Sequence, residues 1–163
     1  MFSFHKSKRM NTEQSQLFDD RSFYKAFSKD YKSARKQIII ESPFISIRRS
    51  RELADITKKL IRRGVKVSVL TRAPESHTQL MASQSISGIE ILRTAGVKVK
   101  CFKDLRHRKI AMIDNEILWE GSLNMLSHSN SKELMRRTVS EQQCRQVARL
   151  TSVYSDLRWY NYG

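Results

Sequence analysis

A run of three isoleucines is the feature that most constrains the fold of this chain. Ile38, Ile39 and Ile40 follow one another without an intervening polar residue. A continuous apolar run is typical of a strand that is buried on both faces of a sheet. Ser42 and Pro43 end the predicted strand, because proline has no N–H to donate to a neighbouring strand. The run therefore predicts a sheet that is covered on both sides.

Apolar periodicity places helices and further strands along the rest of the chain. Helices are predicted from 19 or 20 to about 36, from 50 to just before 64, from about 77 to 95, and from 141 to about 157. Strands are predicted at 38–40, 65–70, 97–101, 110–113, 117–119 and 134–139, with a hairpin turn at Asp114-Asn115. Gly88 lies inside the third helix and could divide it in two. This order implies an α/β fold with a mixed, mostly parallel central sheet, flanked by helices on both faces.

The length of 163 residues corresponds to one domain. Residues 1–18 are basic and contain no apolar segment of the kind found in signal peptides, so we expect a flexible basic arm. Residues 19–163 are expected to form a single domain. Cys101 and Cys144 are interpreted as two reduced, packed thiols rather than a disulfide framework or zinc site. No stretch approaches the roughly 18 apolar residues of a membrane span, so we expect a cytoplasmic protein without stable membrane insertion.

The charge balance indicates a polyanionic partner. Lysine and arginine number 31 against 16 aspartates and glutamates, which gives a formal net charge of +15. A chain this basic is drawn to nucleic acid or to anionic membrane surfaces by its long-range field. The charge excludes a neutral housekeeping fold that works without such a partner, but it does not choose between the two surfaces.

The residues that carry chemistry lie between 107 and 124. His107 and Lys109 are two apart on a predicted strand, so their side chains lie on the same face. An imidazole beside an ammonium group suits a shared anion such as a phosphate. Ser122 and Asn124 are again two apart and add a hydroxyl and an amide, while Gly121 allows a close approach of the backbone. The pattern predicts a site that acts on a phosphoryl group.

This spacing resembles the signature of the phospholipase D superfamily, H-x-K-x4-D followed after six residues by G-S-x-N. Every fixed position of the signature is present in this chain. The resemblance extends from about residue 20 to 155. It implies that a histidine attacks the phosphodiester to form a covalent phosphohistidine, that a second histidine protonates the leaving oxygen, and that water resolves the intermediate. It implies neither a metal nor another cofactor.

The resemblance also implies a role for each site residue. His107 takes the nucleophile or acid role, Lys109 and Asn124 hold phosphate oxygens with help from Ser122, and Asp114 supports the local geometry. An acidic residue downstream commonly orients the imidazole. Glu133 is the only carboxylate between residues 120 and 141, so it is assigned this role, with a solvated carboxylate as the alternative. The predicted catalytic group is therefore His107, Lys109, Asp114 and Glu133.

The chain contains a single copy of the motif. Two motifs form one active site in the family that it resembles, so the second must come from another copy. The sequence therefore predicts a homodimer that shares one active site on its two-fold axis. The turn at Ser42-Pro43-Phe44 resembles versions of the domain that are attached to helicases, which implies a helicase or restriction partner.

Charge near the motif favours nucleic acid as the substrate. The residues predicted to contact nucleic acid are Arg48, Arg49, Arg72, Arg106 and Arg108. The leading hypothesis is a metal-independent endonuclease that acts on DNA, and on RNA as well, with little sequence preference. The first alternative is a phospholipase D-type hydrolase of anionic lipids such as cardiolipin, which basic patches also attract. The second alternative is a nucleic-acid-binding module with little catalytic activity.

Overall fold

The computed structural model describes residues 14–128 and 130–158. In this part of the chain, seven strands form one sheet in the order β1-β7-β6-β5-β2-β3-β4. The strands are β1 (Gln14–Asp19), β2 (Gln37–Glu41), β3 (Lys66–Arg72), β4 (Lys98–Phe102), β5 (Ile110–Ile113), β6 (Ile117–Gly121) and β7 (Leu134–Val139). The helices are α1 (Phe23–Ser33), α2 (Ile47–Arg62), α3 (Gln79–Thr94), α4 (Glu141–Thr151) and α5 (Val153–Arg158), with a 3₁₀ turn at Pro74–Ser76.

The isoleucine run forms β2, an interior strand of the sheet that is buried on both faces, as predicted. Ile38 and Ile40 point into the larger hydrophobic cluster, whereas Ile39 points into the smaller one on the opposite face. β2 pairs in parallel with β3 on one side and antiparallel with β5 on the other. The strand is therefore buried on both faces and paired on both edges.

Helices cover the two faces of the sheet unequally. The larger cluster receives apolar side chains from α1, α2 and α3, among them Phe27, Leu53 and Leu92. The smaller cluster receives Cys144 and Ala148 from α4, together with the first residue of α5. The predicted mixed α/β fold with helices on both faces is confirmed.

The balance of pairings differs from the predicted mostly parallel sheet. Only the β2–β3 and β3–β4 pairs are parallel, and the other four pairs are antiparallel. A parallel pair needs a crossover connection of a dozen or more residues, so the short link between β5 and β6 allows only an antiparallel pair. The predicted hairpin joins β5 to β6 through Asp114 and Asn115, both of which adopt left-handed backbone angles with φ of 55° and 58°.

The N-terminal strand was not predicted from the sequence. Residues 14–18 fall within the predicted flexible arm, but in the structure they belong to β1, which pairs with β7. The sequence of β1 is mostly polar and its side chains are mostly exposed, so no apolar alternation marks it. Residues 1–13 of the predicted arm lie outside the described residues.

The helices also differ from the prediction at several points, and α1 is shorter at both ends than predicted. α2 starts one turn earlier, because Ser46 rather than Ser50 caps it by accepting a hydrogen bond from the backbone N–H of Arg49. α3 continues through Gly88, where an added Cβ would lie 2.8 Å from the Ile45 side chain, so glycine allows a close contact with the residues before α2. The last predicted helix is divided at Ser152, which has a φ of 55°.

Neither cysteine of the structure forms a disulfide. Cys101 is half-buried on β4, and Cys144 is buried on α4. Burial raises the pKa of the Cys144 thiol to about 11. Within the described ranges, no helix has the length and apolar character needed to cross a bilayer.

Candidate active site

The motif residues meet at one edge of the sheet. β2, β3 and β4 run in parallel and end at this edge, whereas β5 begins there, as its pairing of Ile110 with Glu41 shows. β6 ends and β7 begins at the same edge, where Gly121 pairs with Met135. The loops after β4 and β6 are therefore adjacent, and they contain both halves of the motif.

His107 and Lys109 lie in the segment that leads into β5. The His107 side chain is exposed, whereas Lys109 is only 9% exposed. The Lys109 ammonium donates a hydrogen bond of 2.9 Å to the backbone carbonyl of His107. Burial lowers the pKa of Lys109, although the nearby Glu133 carboxylate acts in the opposite direction. The arrangement places a positive charge against the backbone of the residue that carries the accessible imidazole.

Ser122 and Asn124 follow the end of β6. The Ser122 hydroxyl accepts a hydrogen bond of 3.1 Å from the backbone N–H of Leu134, which ties the loop to β7. Asn124 is half-buried, and its side-chain oxygen has no partner among the described residues. Gly121 is needed beside them, because an added Cβ would lie 2.2 Å from the carbonyl oxygen of Leu134.

Glu133 belongs to the same group of side chains. It accepts a hydrogen bond of 2.7 Å from the Ser131 hydroxyl. A hydrogen bond from Ser122 contributes most to lowering the pKa of Glu133, and the Lys109 charge also contributes. Among the described residues, the Glu133 carboxylate accepts hydrogen bonds from these two serines and not from the His107 ring. The structure thus brings Glu133 to the site, beside Lys109.

Asp114 lies at the opposite edge of the sheet. The chain between His107 and Asp114 spans roughly 20 Å when extended, and Asp114 follows the far end of β5. Its carboxylate accepts hydrogen bonds from the backbone N–H groups of Arg35, Lys36 and Gln37. The structure therefore does not bring Asp114 to the other catalytic candidates. It ties the start of β2 to the β5–β6 hairpin.

Comparison with known protein families agrees with the motif. Residues 8–152 match the family described as "Cardiolipin synthase, PLD-like domain". The chain belongs to this phospholipase D-like family. Membership confirms the predicted superfamily and supports a hydrolase-type enzyme.

Individual relatives show how far the similarity of this phospholipase D-like domain extends. It is 37% identical over 95 residues to cardiolipin synthase A of Proteus mirabilis (strain HI4320); the match covers 57% of this chain but only 19% of that protein. The chain thus spans about a fifth of the relative's length. NucT from Helicobacter pylori has a TM-score of 0.70 and 21% identity, with 88% of this chain and 97% of NucT covered. Nuc from Salmonella typhimurium, described as a phospholipase D family member, has a TM-score of 0.71 and 14% identity, with 88% and 95% covered.

Two of the arginines predicted to bind nucleic acid are internal in this phospholipase D-like domain. Arg49 is 3% exposed, donates to the carbonyl of Met125 and pairs with Glu52. The Arg106 side chain is 7% exposed and binds Asp104 through two hydrogen bonds of 2.8 Å. Both guanidinium groups face protein acceptors, which does not favour them as nucleic-acid contacts.

The other three predicted arginines are more accessible. The Arg48 side chain is 75% exposed and pairs with Glu52 at 3.3 Å. The Arg108 side chain is 42% exposed and pairs with Glu41 at 3.0 Å. Arg72 is half-buried at the end of β3 and donates to a backbone carbonyl in the following turn. All three lie at the edge of the sheet that contains His107.

The loop after Asn124 is fixed against α2. The backbone carbonyl of Leu126 accepts a hydrogen bond of 2.9 Å from the N–H of Ser46. The ring of His128 lies 3.0 Å from both carboxylate oxygens of Glu52. Together with the bond from Arg49 to the same loop, these contacts hold Asn124 in place from the side of the larger hydrophobic cluster.

Sequence reasoning missed Glu41. This carboxylate is the last residue of β2, is 1% exposed, and pairs with Arg106 and Arg108 on either side of His107. A charged residue that ends an otherwise apolar strand was the available signal, because a buried carboxylate requires partners.

Proposed function

We propose that this chain is a metal-independent phosphodiesterase that cleaves DNA, and RNA as well, through a covalent phosphohistidine on His107. The observation that carries the proposal is the accessible His107 side chain together with the buried Lys109 ammonium, which is bound to the backbone carbonyl of His107. A phosphate bound in front of this pair would meet a nucleophile and a neutralising charge together.

The reaction follows from these residues in two displacements. A nitrogen of His107 attacks the phosphorus, and the bond from phosphorus to the leaving oxygen breaks. A second histidine gives its proton to that oxygen. Water then attacks the phosphohistidine and releases the phosphate monoester, while the second histidine takes the proton from water. Lys109, Ser122 and Asn124 would bind the non-bridging oxygens on which charge develops.

A homodimer would supply the second histidine. The chain contains one copy of the motif, so His107 of a second copy would protonate the leaving group across a two-fold axis. This proposal is tested by mixing wild type with an excess of His107→Ala chains under conditions of shown subunit exchange. A shared site predicts loss of activity beyond dilution, because mixed dimers lack one of the two histidines. Loss in proportion to dilution would exclude the shared site.

Exposed basic side chains near His107 support nucleic acid as the substrate. They lie on separate segments that meet at the same edge: Arg48, Lys103, Arg108 and Lys132. Such a distribution suits an extended polyanion, which needs several contacts along its backbone. The net charge of +15 acts in the same direction over longer distances.

A lipid substrate is the second candidate, favoured by the family description and by the similarity to a cardiolipin synthase. The deciding experiment incubates the protein with plasmid DNA, single-stranded DNA, RNA and cardiolipin vesicles, all in excess EDTA. Cleavage of nucleic acid that persists in EDTA and disappears in His107→Ala supports the proposal. Hydrolysis of cardiolipin alone would favour the lipid candidate, and binding without cleavage would indicate a binding module. Cleavage that requires added metal would contradict the mechanism.

A further inference from the structure

The segment that carries His107 is irregular but firmly held. Residues 103–109 connect β4 to β5 without a helix or strand. Even so, the Arg106 side chain within it is 7% exposed and Lys109 is 9% exposed. Backbone hydrogen bonding of a helix or strand cannot account for this burial, so side chains must hold the segment.

A buried carboxylate from the neighbouring strand lies beneath this segment. Oε1 of Glu41 accepts a hydrogen bond of 3.0 Å from Nε of Arg108 and lies 3.6 Å from a terminal nitrogen of Arg106. Its Oε2 is also buried and has no partner among the described residues. Glu41 is 1% exposed. A carboxylate this deeply buried is tolerated only with close countercharges, which here are the two guanidinium groups.

The two arginines extend this network to other elements. Arg106 binds Asp104 through both arms of its fork, lies 3.4 Å from Asp156 of α5, and stacks on the ring of Phe102 at 3.3 Å. Arg108 also donates to the carbonyl of Thr151 at the end of α4. The network therefore joins the ends of β2, β4, α4 and α5 to the segment that carries the nucleophile.

Arg106 and Arg108 are the immediate neighbours of His107 in the chain. Both of them pair with the buried Glu41 carboxylate, whereas His107 between them is exposed. The two ion pairs thus hold the chain on either side of the residue that would react.

We propose that Glu41 is a positioning residue for His107, acting through Arg106 and Arg108. This inference rests on the proposed function, in which His107 is the nucleophile. A displacement of about 1 Å at the reacting group can lower the rate by roughly 100-fold. Loss of the Glu41 charge should therefore reduce the rate of chemistry while leaving substrate binding by the exposed basic residues intact.

The test compares Glu41→Gln with a matched control, Glu75→Gln. Glu75 also pairs with the segment, through Lys103 at 3.6 Å, but its side chain is 62% exposed. We expect Glu41→Gln to lower kcat by about 10- to 100-fold while KM stays within about twofold. Hydrogen exchange of peptides covering 103–109 should become faster in Glu41→Gln alone. The control should match wild type in both measurements.

A second variant keeps the proposal testable if Glu41→Gln does not fold. Arg106→Gln removes the partner of Glu41 whose side chain is only 7% exposed, and it should also lower kcat and speed exchange in 103–109. A kcat within about twofold of wild type in the folded variants would overturn the proposal, as would a loss of kcat without faster exchange in 103–109. If wild type shows no His107-dependent cleavage, the proposed function fails, and the exchange measurement alone then decides whether Glu41 holds the segment.

Discussion

A substitution of Asp114 distinguishes a structural role from a catalytic one most clearly. Its carboxylate accepts backbone hydrogen bonds of 2.9, 2.7 and 3.0 Å from Arg35, Lys36 and Gln37. These bonds lie at the edge of the sheet opposite to His107 and hold the start of β2. Replacing Asp114 with alanine should therefore destabilise the fold without changing the chemistry of cleavage.

The expected loss of stability follows from the number of hydrogen bonds that Asp114 accepts and from their exposure. A hydrogen bond to a charged group contributes about 1.5–3 kcal/mol to stability when buried. Two of the three bonds share one oxygen, and Asp114 is only half-buried, so water would replace part of the loss. We expect Asp114→Ala to cost about 3 kcal/mol in total, including the poorer tolerance of alanine for the left-handed conformation. That loss corresponds to a melting temperature roughly 6–12 °C lower.

The contribution of Asp114 to the stability of the fold should also depend on pH. Partial burial raises the pKa of Asp114, but the three backbone donors outweigh burial and hold the pKa below its ordinary value. A carboxylate with a lowered pKa stabilises the fold above its unfolded pKa of about 3.9 and loses this contribution as the pH falls through the folded pKa. The difference in stability between wild type and Asp114→Asn should therefore shrink below about pH 4.

Urea denaturation followed by circular dichroism measures the stability, and cleavage of DNA at 25 °C measures kcat. Asp114→Ala should show a lower midpoint of unfolding and a kcat close to that of wild type. An unchanged midpoint would refute the structural argument. A fall in kcat of about tenfold or more in the fully folded variant would instead assign Asp114 a role in catalysis.

Four further predictions concern the active edge of the sheet and its surroundings. Lys109→Met should lower kcat by about 100- to 1,000-fold, because one charged donor to the phosphate is lost, as measured at saturating DNA. Gly121→Ala should cost about 1–3 kcal/mol and reduce activity, because its Cβ would collide with the carbonyl of Leu134; thermal unfolding checks this. Arg48→Ala should weaken DNA binding and lower the salt slope by about one, measured by fluorescence anisotropy, with unchanged stability. Its neighbour Arg49 is buried, so Arg49→Ala should instead lower the free energy of unfolding by about 2–3 kcal/mol.

Much of the fold follows from local patterns in the sequence. Residues 38–40 form the doubly buried strand because nothing in the run is polar, and Asp114-Asn115 forms the hairpin turn because these residues tolerate left-handed angles. The catalytic candidate His107 and the phosphate-binding candidates Lys109, Ser122 and Asn124 lie at one edge of the sheet. Their two halves are brought together by the β5–β6 hairpin, whose turn was visible in the sequence.

Features that depend on distant parts of the chain could not be predicted in this way. Arg48 and Arg49 are neighbours in the sequence, but only Arg49 is buried, because its acceptor is the carbonyl of Met125, 76 residues away. β1 is likewise held through its backbone by β7, so its polar side chains carry no signal. The charge of Glu41 at the end of an apolar strand indicates that it needs partners, but the sequence does not show that the distant Arg108 is one of them.

The burial of two arginines changes how the net charge of this domain should be interpreted. Release of counterions from nucleic acid depends on the cations that reach phosphates, not on the formal charge of the chain. Arg49 and Arg106 bind protein acceptors, so they add to the +15 without adding contacts to a substrate. A salt slope worked from composition would therefore be too steep for one copy of the domain. If nucleic acid lies across two copies, each exposed contact such as Arg48 occurs twice, so the slope should be about double that of a single copy.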